Sequence, residues 1–332
     1  MSQHSIGYQA ARERAAFLVR GDRARIVVSG ADRRSYLQGL LTNDIDALGA
    51  GQGCYAAYLT AQGRMIADLW VYELGDVVLL AMLDDVKATV LAKLEQFIFT
   101  EDVQLGDVSD TFAQVAIVGP HAAAIVAGAI DDGSAARLSA LALHGNVRGR
   151  AGDASVIVTR IDDMGAPGFD VYIERTSLDG LLAALRSASV PELDDSTAET
   201  LRIESAVPRF HRDMDEETIP LEAGIESRAI SFTKGCYVGQ EVIIRVLHRG
   251  HGRVARRLVK LQLEGERVPA RSALIRAADR DAGEVTSAVF SPALERPIAL
   301  GYVHRDFAAA GTKLTIDGTD ASVVALVGGA PL

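Results

Sequence analysis

The chain has 332 residues, of which 48% are hydrophobic, 23% charged and 5% aromatic. This length corresponds to about two to three domains, and these proportions exclude collagen, low-complexity disorder and a disulfide scaffold. The 34 basic and 44 acidic side chains give a net charge of −10, which argues against coating of nucleic acid by the whole surface.

The same sequence predicts an intracellular protein, which we expect to be cytoplasmic and without a membrane contact. The longest strongly apolar run, Val77–Leu83, is far shorter than the ~20 residues that cross a bilayer. The first residues contain no apolar segment typical of a secretory signal. The two cysteines, Cys54 and Cys236, are far apart in the sequence, which favours free thiols in a reducing compartment.

The first two thirds of the chain alternate between strand-like and helix-like segments. Apolar runs predict strands at Ala24–Ser29, Tyr55–Thr60, Met65–Tyr72, Val77–Met82, Phe112–Val118, Ser155–Arg160 and Phe169–Glu174. Apolar periodicity predicts a short helix over Tyr36–Leu41 and a longer one over Asp84–Ile98. Capping boxes, which open helices, occur at Thr176 with Asp179 and at Ser196 with Glu199.

The pattern changes near Arg257 to short β-prone runs separated by turns. These runs are Leu258–Leu263, Ala282–Phe290, Ile298–Val303 and Leu314–Ile316. We therefore predict an α+β fold over residues 1–250 and a small all-β barrel over residues 251–332.

The segment Lys234–Glu241 reads Lys-Gly-Cys-Tyr-Val-Gly-Gln-Glu and is the most unusual in the chain. Gly235 and Gly239 permit a tight turn that presents Cys236 at the edge of a loop. The neighbouring ammonium of Lys234 would favour the thiolate, which is the reactive form of cysteine. The alternative, which local chemistry leaves open, is that Cys236 is a small buried hydrophobic residue.

A basic segment follows this motif. It contains six cationic side chains and no acidic one: Arg245, Arg249, Arg253, Arg256, Arg257 and Lys260. The segment is either a solvated surface or a site for a polyanion, which would be an RNA backbone or the glutamate tail of a folate. His248 and His251 have no third ligand nearby in the sequence, so we predict no metal site.

Three carboxylates lie within or beside apolar runs. Asp68 lies within the apolar run Met65–Tyr72, and Asp170 lies within the apolar run Phe169–Glu174. Glu204 directly follows Ile203 on a predicted helix. An apolar setting raises the pKa of a carboxyl or requires a partner for it, which makes these residues functional candidates. The alternative for each is a position on the solvent face of its element.

The segment Lys234–Glu241 resembles the signature of the YgfZ family of folate-binding proteins, which are similar to the T-protein (aminomethyltransferase) of the glycine cleavage system. The resemblance covers most of the chain and includes Leu37–Asp44, Ala61–Tyr72, Arg202–Glu204, Asp213–Asp215, Ile219–Gly224, Thr286–Ser287 and Ser291–Pro292. It implies a three-domain cloverleaf that ends in a small β-barrel and holds tetrahydrofolate, or a one-carbon derivative, in a central opening. It also implies a role in maintaining iron–sulfur enzymes, including those that thiolate tRNA.

The resemblance also assigns roles to residues. Asp170 stands where the transferases carry their pterin-binding acid, and a carboxylate can accept the adjacent amino and ring N–H donors of a pterin. Arg202 matches the folate-contacting arginine, Asp68 matches the catalytic aspartate, and Cys236 is expected to be a second catalytic group. Further cofactor contacts are expected from Glu204, Lys234, Tyr237, Gln240 and Glu241.

Three departures from the transferase pattern bear on the chemistry. Ala67 replaces the first residue of an Asp-Asp pair, and Asp162–Pro167 replaces a Gly-Tyr-Thr-Gly-Glu-Asp loop. Met82 stands in place of a folate-contacting asparagine. Asp68 therefore retains the possibility of group transfer, but in an altered pocket.

Three functional hypotheses result. The first, which the motif favours, is a tetrahydrofolate-binding accessory protein for iron–sulfur enzymes, with Cys236 as its working thiol. The second is a folate-dependent, aminomethyltransferase-like one-carbon transferase in which Asp68 orients or activates the amine. The third is a tRNA-binding protein, with weak RNA contact through the basic segment at Arg245, Arg249, Arg253 and Arg256.

Overall fold

The computed structural model describes residues 3–131, 134–248 and 253–328. Contacts divide the chain into two compact units. Unit 1 contains Met1–Gly39, Asn43–Ala56 and Asp68–Glu199, and unit 2 contains Leu40–Thr42, Ala57–Ala67 and Thr200–Leu332. In the described part of the chain, no helix is long and apolar enough to cross a bilayer.

Helices and strands alternate along the chain, and strands dominate its C-terminal part. The helices are α1 (Gln3–Glu13), α2 (Arg33–Leu40), α3 (Asp84–Glu95), α4 (Ala122–Ala129), α5 (Ala135–Ser139), α6 (Leu178–Ser187), α7 (Asp195–Glu204), α8 (Pro220–Ala223), α9 (Glu226–Ala229) and α10 (Gln240–His248), with 3-10 turns at Arg175–Ser177 and Arg305–Phe307. The strands are β1 (Ala16–Val19), β2 (Arg23–Ser29), β3 (Gln52–Leu59), β4 (Met65–Glu73), β5 (Val78–Leu83), β6 (Gln104–Asp107), β7 (Phe112–Val118), β8 (Asn146–Ala151), β9 (Ala154–Ile161), β10 (Gly168–Glu174), β11 (Arg256–Leu263), β12 (Leu274–Ala277), β13 (Arg280–Ser291), β14 (Arg296–His304), β15 (Lys313–Ile316) and β16 (Thr319–Leu326).

One five-stranded antiparallel sheet has the order β1-β7-β10-β9-β8. Its central strand β10 is buried on both faces. Phe169, Val171 and Ile173 belong to the core that the sheet shares with α4, α5 and α6. Because side chains alternate along a strand, Asp170 and Tyr172 lie on the opposite face.

A second five-stranded sheet has the order β3-β4-β5-β2-β6. Tyr72 of β4 and Tyr172 of β10 belong to one apolar cluster with Leu79 and Ala81. The two tyrosine rings meet edge-on with their centroids 6.2 Å apart. The face of β10 that carries Asp170 is therefore covered by the second sheet.

In unit 2 six strands close into a barrel in the order β11-β14-β13-β12-β15-β16. Alternate residues of β11, Val259, Leu261 and Leu263, fill its interior, while Leu258 belongs to a separate cluster. The α+β class and the C-terminal β-barrel expected from the sequence are confirmed. The predicted boundary between residues 250 and 251 lies outside the described residues and stays a prediction.

All the predicted strands occur, with ends that differ by at most three residues. The sequence patterns do not predict β1, β6, β8, β12 or β16. Of these, β1, β6 and β12 have only four residues, and β16 begins with polar residues. The long helix was predicted too far: α3 ends at Glu95, so Phe97 and Ile98 lie beyond it and Phe97 is 41% exposed.

Both predicted helix caps require correction. Ser196 lies inside α7, which begins at Asp195, and Oδ1 of Asp194 accepts a hydrogen bond from the backbone N–H of Thr197 at 2.6 Å. A carboxylate is the better acceptor at this end because the helix dipole is positive there. Thr176 lies in a 3-10 turn, and α6 begins after it at Leu178.

Candidate functional site

Asp170 is a buried carboxylate in β10. Its Cα pairs with Ala116 of β7 on one side and with Thr159 of β9 on the other. Oδ2 of Asp170 accepts a hydrogen bond from Nε2 of Gln114 at 2.8 Å. Oδ1 lies 2.9 Å from Nε of Arg20 without hydrogen-bond geometry, so among the described residues this oxygen accepts no hydrogen bond. Burial raises the pKa of the Asp170 carboxyl, and the attraction of Arg20 opposes that shift.

Arg20 joins Asp170 to a second carboxylate, Asp163. Nη1 and Nη2 of Arg20 donate to the two carboxylate oxygens of Asp163 at 2.7 and 2.8 Å. Asp163 lies in the loop between β9 and β10, 143 positions from Arg20 in the sequence. Bidentate pairs of this kind are among the stronger charge-assisted hydrogen bonds. The loop that departs from the transferase pattern thus supplies the main partner of Arg20.

Aromatic rings line the cleft beside Asp170. The guanidinium of Arg23 lies over the Trp70 ring, 4.7 Å from its centroid, and Tyr72 contacts Tyr172. Burial raises the pKa of both tyrosine hydroxyls above their usual value. The side chains that line this cleft leave no space wide enough for a water molecule between them. A ligand that reaches Asp170 must therefore displace at least one of these side chains.

Asp68 lies on β4, on the strand face that also carries Trp70 and Tyr72. Its Oδ2 accepts a hydrogen bond from the hydroxyl of Tyr55 at 2.7 Å, and its side chain is buried. The rings of Tyr55 and Trp70 are 5.5 Å apart. Asp68 thus lies on the strand face whose Tyr72 contacts Tyr172, and Tyr172 shares a face of β10 with Asp170.

Sequence reasoning found the two carboxylates of unit 1 but missed their surroundings. Arg20, Arg23 and Gln114 carry most of the polar contacts there, and none was selected from the sequence. A local signal exists, because Gln114 is a polar residue inside the apolar strand β7 and Arg20 directly follows the apolar strand β1. That signal does not identify the residue that each side chain contacts.

In unit 2 the predicted folate-contacting arginine belongs to a buried polar network. Nη1 of Arg202 donates to Oδ2 of Asp213 at 2.6 Å and to the carbonyl oxygen of Val207 at 2.7 Å. Nη2 donates to the hydroxyl of Ser287 at 2.9 Å. Asp213 also accepts a hydrogen bond from Thr286. These contacts stabilise unit 2, and a folate contact of Arg202 stays a prediction.

Glu204 lies two positions after Arg202 and is also engaged. Its carboxylate accepts a hydrogen bond from the hydroxyl of Ser291, and its backbone carbonyl accepts one from Lys260. Arg202 and Glu204 therefore link α7 to strands β11 and β13 of the barrel. The expected role of Glu204 in cofactor binding stays a prediction.

The Lys234–Glu241 motif forms an irregular loop followed by the start of α10. Nζ of Lys234 donates to the carbonyl oxygen of Leu41 at 2.7 Å and lies 5.3 Å from the centroid of the Tyr237 ring. Both side chains are buried, and burial raises the pKa of Tyr237 to about 12. Cys236 is a free, exposed thiol. The ammonium of Lys234, which was expected to act on the thiol of Cys236, thus binds the Leu41 carbonyl on the buried side of the loop.

Gln240 and Glu241 lie at the beginning of α10. Nε2 of Gln240 is 3.5 Å from the carbonyl oxygen of Gly235, and Glu241 forms an ion pair at 2.7 Å with Arg245 one turn later. The cofactor contacts predicted for Lys234, Tyr237, Gln240 and Glu241 stay predictions.

The two motif glycines differ in their surroundings. Gly239 has φ +86°, and a Cβ at this position would lie 2.5 Å from the carbonyl oxygen of Thr60 and 3.0 Å from Cβ of Leu59. A Cβ at Gly235 would meet nothing within 4 Å. Only Gly239 is therefore required by the backbone, where it permits close contact between the motif and the hairpin that joins β3 to β4.

The basic segment is partly neutralised by carboxylates from elsewhere in unit 2. Arg256 forms an ion pair with Glu222 at 3.1 Å, and Arg257 lies 3.7 Å from Glu226. Arg253 is exposed. Arg249, His251 and the side chain of His248 lie outside the described residues. These carboxylates are distant in the sequence, so the composition of the segment does not reveal the pairing.

Comparison with known proteins identifies relatives along nearly the whole chain. The family described as GCVT N-terminal domain matches residues 6–234, and the family described as glycine cleavage T-protein C-terminal barrel domain matches residues 256–332. An aminomethyltransferase of Rubrobacter xylanophilus is 29% identical over 296 residues, which cover 89% of this chain and 78% of that protein. An aminomethyltransferase of a Nostoc species is 29% identical over 320 residues, covering 93% and 82%.

The same fold occurs in a solved structure. The glycine cleavage system aminomethyltransferase T from Bartonella henselae superposes with a TM-score of 0.86 at 20% sequence identity, covering 97% of this chain and 88% of that one. The expected fold is confirmed by this similarity. The chain belongs to the GCVT family, with its N-terminal domain followed by the T-protein C-terminal barrel.

Proposed function

We propose that this protein binds tetrahydrofolate, or a one-carbon derivative of it, at Asp170 and that it is a folate-dependent one-carbon transferase. The observation that carries the proposal is a buried carboxylate in an aromatic cleft, with one oxygen that accepts no hydrogen bond from the described residues. The relatives named aminomethyltransferase, which align over about nine tenths of the chain, support the transferase part.

The residues present fit a pterin. The pterin ring carries an amino group and a ring N–H side by side, and a carboxylate can accept both donors. Asp170 would hold this edge, with Gln114 fixing the carboxylate through its bond to Oδ2. Trp70 offers an aromatic face beside it, which at present is covered by Arg23. Tetrahydrofolate, when bound, supplies the nitrogens that accept or carry the one-carbon group.

Asp68 is the residue that would act on the donor amine. Its carboxylate is buried and oriented by the hydroxyl of Tyr55. A carboxylate held in this way can position an amine and accept its proton during transfer. The missing second acid at Ala67 leaves this work to Asp68 alone in that pair.

Calorimetric titration with tetrahydrofolate tests the binding site. We expect saturable binding by the wild type, a loss of affinity of about 10²-fold in Asp170→Ala because the donor pair loses its charged acceptor, and unchanged binding in Cys236→Ser. Wild-type affinity retained in Asp170→Ala would place the folate elsewhere. Thermal unfolding of each variant verifies that it is folded.

Turnover tests the transferase function. With a donor that carries an aminomethyl group on a heteroatom, whose carbon is already at the oxidation level of formaldehyde, we expect the wild type to form methylene-tetrahydrofolate and release ammonia. We expect this turnover to be lost in Asp68→Asn, while tetrahydrofolate binding is retained. The amide keeps the size of the side chain but cannot accept the proton. Equal turnover by Asp68→Asn, or none by the wild type over a range of donors, contradicts this function.

A second candidate function is that of a tetrahydrofolate-binding accessory protein for iron–sulfur enzymes, including tRNA-thiolating ones, in the manner of the YgfZ family. Its specific support is the exposed thiol of Cys236 within the motif Lys234–Glu241. Cys236→Ser should then fail to restore iron–sulfur enzyme activity in a deletion strain, whereas the wild type restores it. Full restoration by Cys236→Ser excludes a thiol role. RNA contact has less support, since Arg245 and Arg256 are paired with carboxylates.

A further inference from the structure

Arg20 has unequal contacts with its two carboxylates. It binds Asp163 through two hydrogen bonds of 2.7 and 2.8 Å, one to each oxygen. Its contact with Asp170 is a single approach of Nε to Oδ1 at 2.9 Å without hydrogen-bond geometry. The stronger partner is therefore Asp163, and the contact with Asp170 can be lost while the guanidinium keeps a charged acceptor.

The group that covers Asp170 resembles the group that the proposed ligand would present. A guanidinium and the 2-amino-4-oxo edge of a pterin both offer adjacent N–H donors on a planar, delocalised C–N system. The side chains around the cleft leave no space as wide as a water molecule beside Asp170. A pterin edge can therefore bind Oδ1 only if Nε of Arg20 gives way.

We propose that Arg20 is an internal competitor of the ligand: it covers Asp170 in the ligand-free protein and is retained by Asp163 when an aminopyrimidine edge takes its place. This inference rests on the proposed function of Asp170 as the folate acceptor. The affinity for the ligand then depends on the fraction of molecules in which Arg20 contacts Asp163 and not Asp170. Asp163, in the loop between β9 and β10, determines that fraction.

The backbone supports such an exchange. The N–H of Arg20 donates to the carbonyl oxygen of Gln114 at 2.9 Å, which fixes the start of the side chain. Only the guanidinium end has to shift, and its charge stays paired with Asp163. Since an unpaired buried charge is costly, the retained ion pair makes displacement from Asp170 possible.

Two substitutions that break the same ion pair should change the affinity in opposite directions. Arg20→Met removes the competitor, and we expect it to bind 2-amino-4-oxopteridine about tenfold more tightly than the wild type. A gain of this size follows if about one tenth of the wild-type molecules have Asp170 uncovered and all molecules of the variant do. Asp163→Asn removes the charged partner that draws Arg20 away, so that Arg20 pairs with Asp170 alone. This variant should bind the probe several-fold more weakly. A purely structural role of the ion pair would weaken binding in both variants.

Three controls accompany the titrations. Arg33→Met removes another largely buried arginine of unit 1, paired with Glu73 at 3.1 Å, and should leave the affinity unchanged. Arg20→Lys keeps a charge for Asp163 without an Nε donor, so it should also bind more tightly and replaces Arg20→Met if that variant does not fold. Removal of the counter-ion raises the pKa of Asp170 further, so titrations are made at about pH 8.5.

A 2,4-dioxopteridine, which lacks the amino donor, should show no gain in affinity in Arg20→Met. Weaker or unchanged binding of the aminopteridine by both Arg20 variants, or tighter binding by Asp163→Asn, overturns the inference while leaving Asp170 as the acceptor. Undiminished binding by Asp170→Ala instead overturns the proposed function and the inference together. The two failures are therefore distinguishable.

Discussion

Replacement of Asp213 by alanine is expected to lower the free energy of unfolding by about 3–5 kcal/mol. The Asp213 side chain is completely buried and forms an ion pair with Arg202 at 2.6 Å. It also accepts hydrogen bonds from the backbone N–H of Arg209 and from the hydroxyl of Thr286. Its removal takes a fully buried counter-charge away from the buried Arg202 guanidinium, and breaking a buried ion pair by removing one partner is strongly destabilising.

Urea unfolding of the variant and the wild type measures this loss. Glu241→Ala is the control, because it breaks an ion pair with Arg245 whose side chains are 85% and 58% exposed. Solvent screens such a pair, so the control should lose about 0.5 kcal/mol or less. Similar losses in both variants would show that the Asp213 network does not hold unit 2 together. Unchanged tetrahydrofolate affinity in folded Asp213→Ala would indicate that folate binding does not depend on the Arg202–Asp213 ion pair.

Gly239→Ala is expected to destabilise the protein by about 3 kcal/mol. The left-handed backbone conformation costs an alanine about 1–2 kcal/mol, and overpacking against fixed backbone costs about 1–3 kcal/mol more. The new Cβ would lie 2.5 Å from the carbonyl oxygen of Thr60, which belongs to the chain reversal after β3 and cannot move as a flexible side chain does. The loop that carries Cys236 would therefore be displaced from the hairpin.

Gly235→Ala is the matched control within the same motif. A Cβ there meets nothing within 4 Å and φ is not in the left-handed region, so stability should change by less than about 0.5 kcal/mol. Thermal and urea unfolding of the two variants compare them directly. Equal stability of Gly239→Ala and Gly235→Ala would mean that the motif does not depend on close contact with the hairpin.

Periodicity in the sequence was sufficient for most of the strands. Apolar runs located β7, β9 and β10 to within a residue, because a strand buried on one or both faces needs apolar side chains at fixed spacing. Helix ends were less well predicted. The cap of α7 is Asp194 and not Ser196, since neighbouring acceptors compete for the same backbone amides and their geometry decides between them.

Sequence patterns predicted only part of the candidate site. Asp68 and Asp170 are visible as carboxylates in apolar strands, and both are buried. Their partners are not visible. Nothing near Arg20 in the sequence indicates that it binds Asp163, and nothing near Arg202 indicates Ser287.

The sequence by itself determined most of the strands, the C-terminal barrel, the motif Lys234–Glu241 and the two carboxylates of unit 1. Only the tertiary structure decided which charges are paired: Arg20 with Asp163 and Asp170, Arg202 with Asp213, and Arg256 with Glu222. The physical reason is that strands and turns follow from spacing and backbone conformation, which are local. The state of a charged group depends on its burial and on the opposite charge that the fold brings to within hydrogen-bonding distance, and both are set by residues far away in the chain.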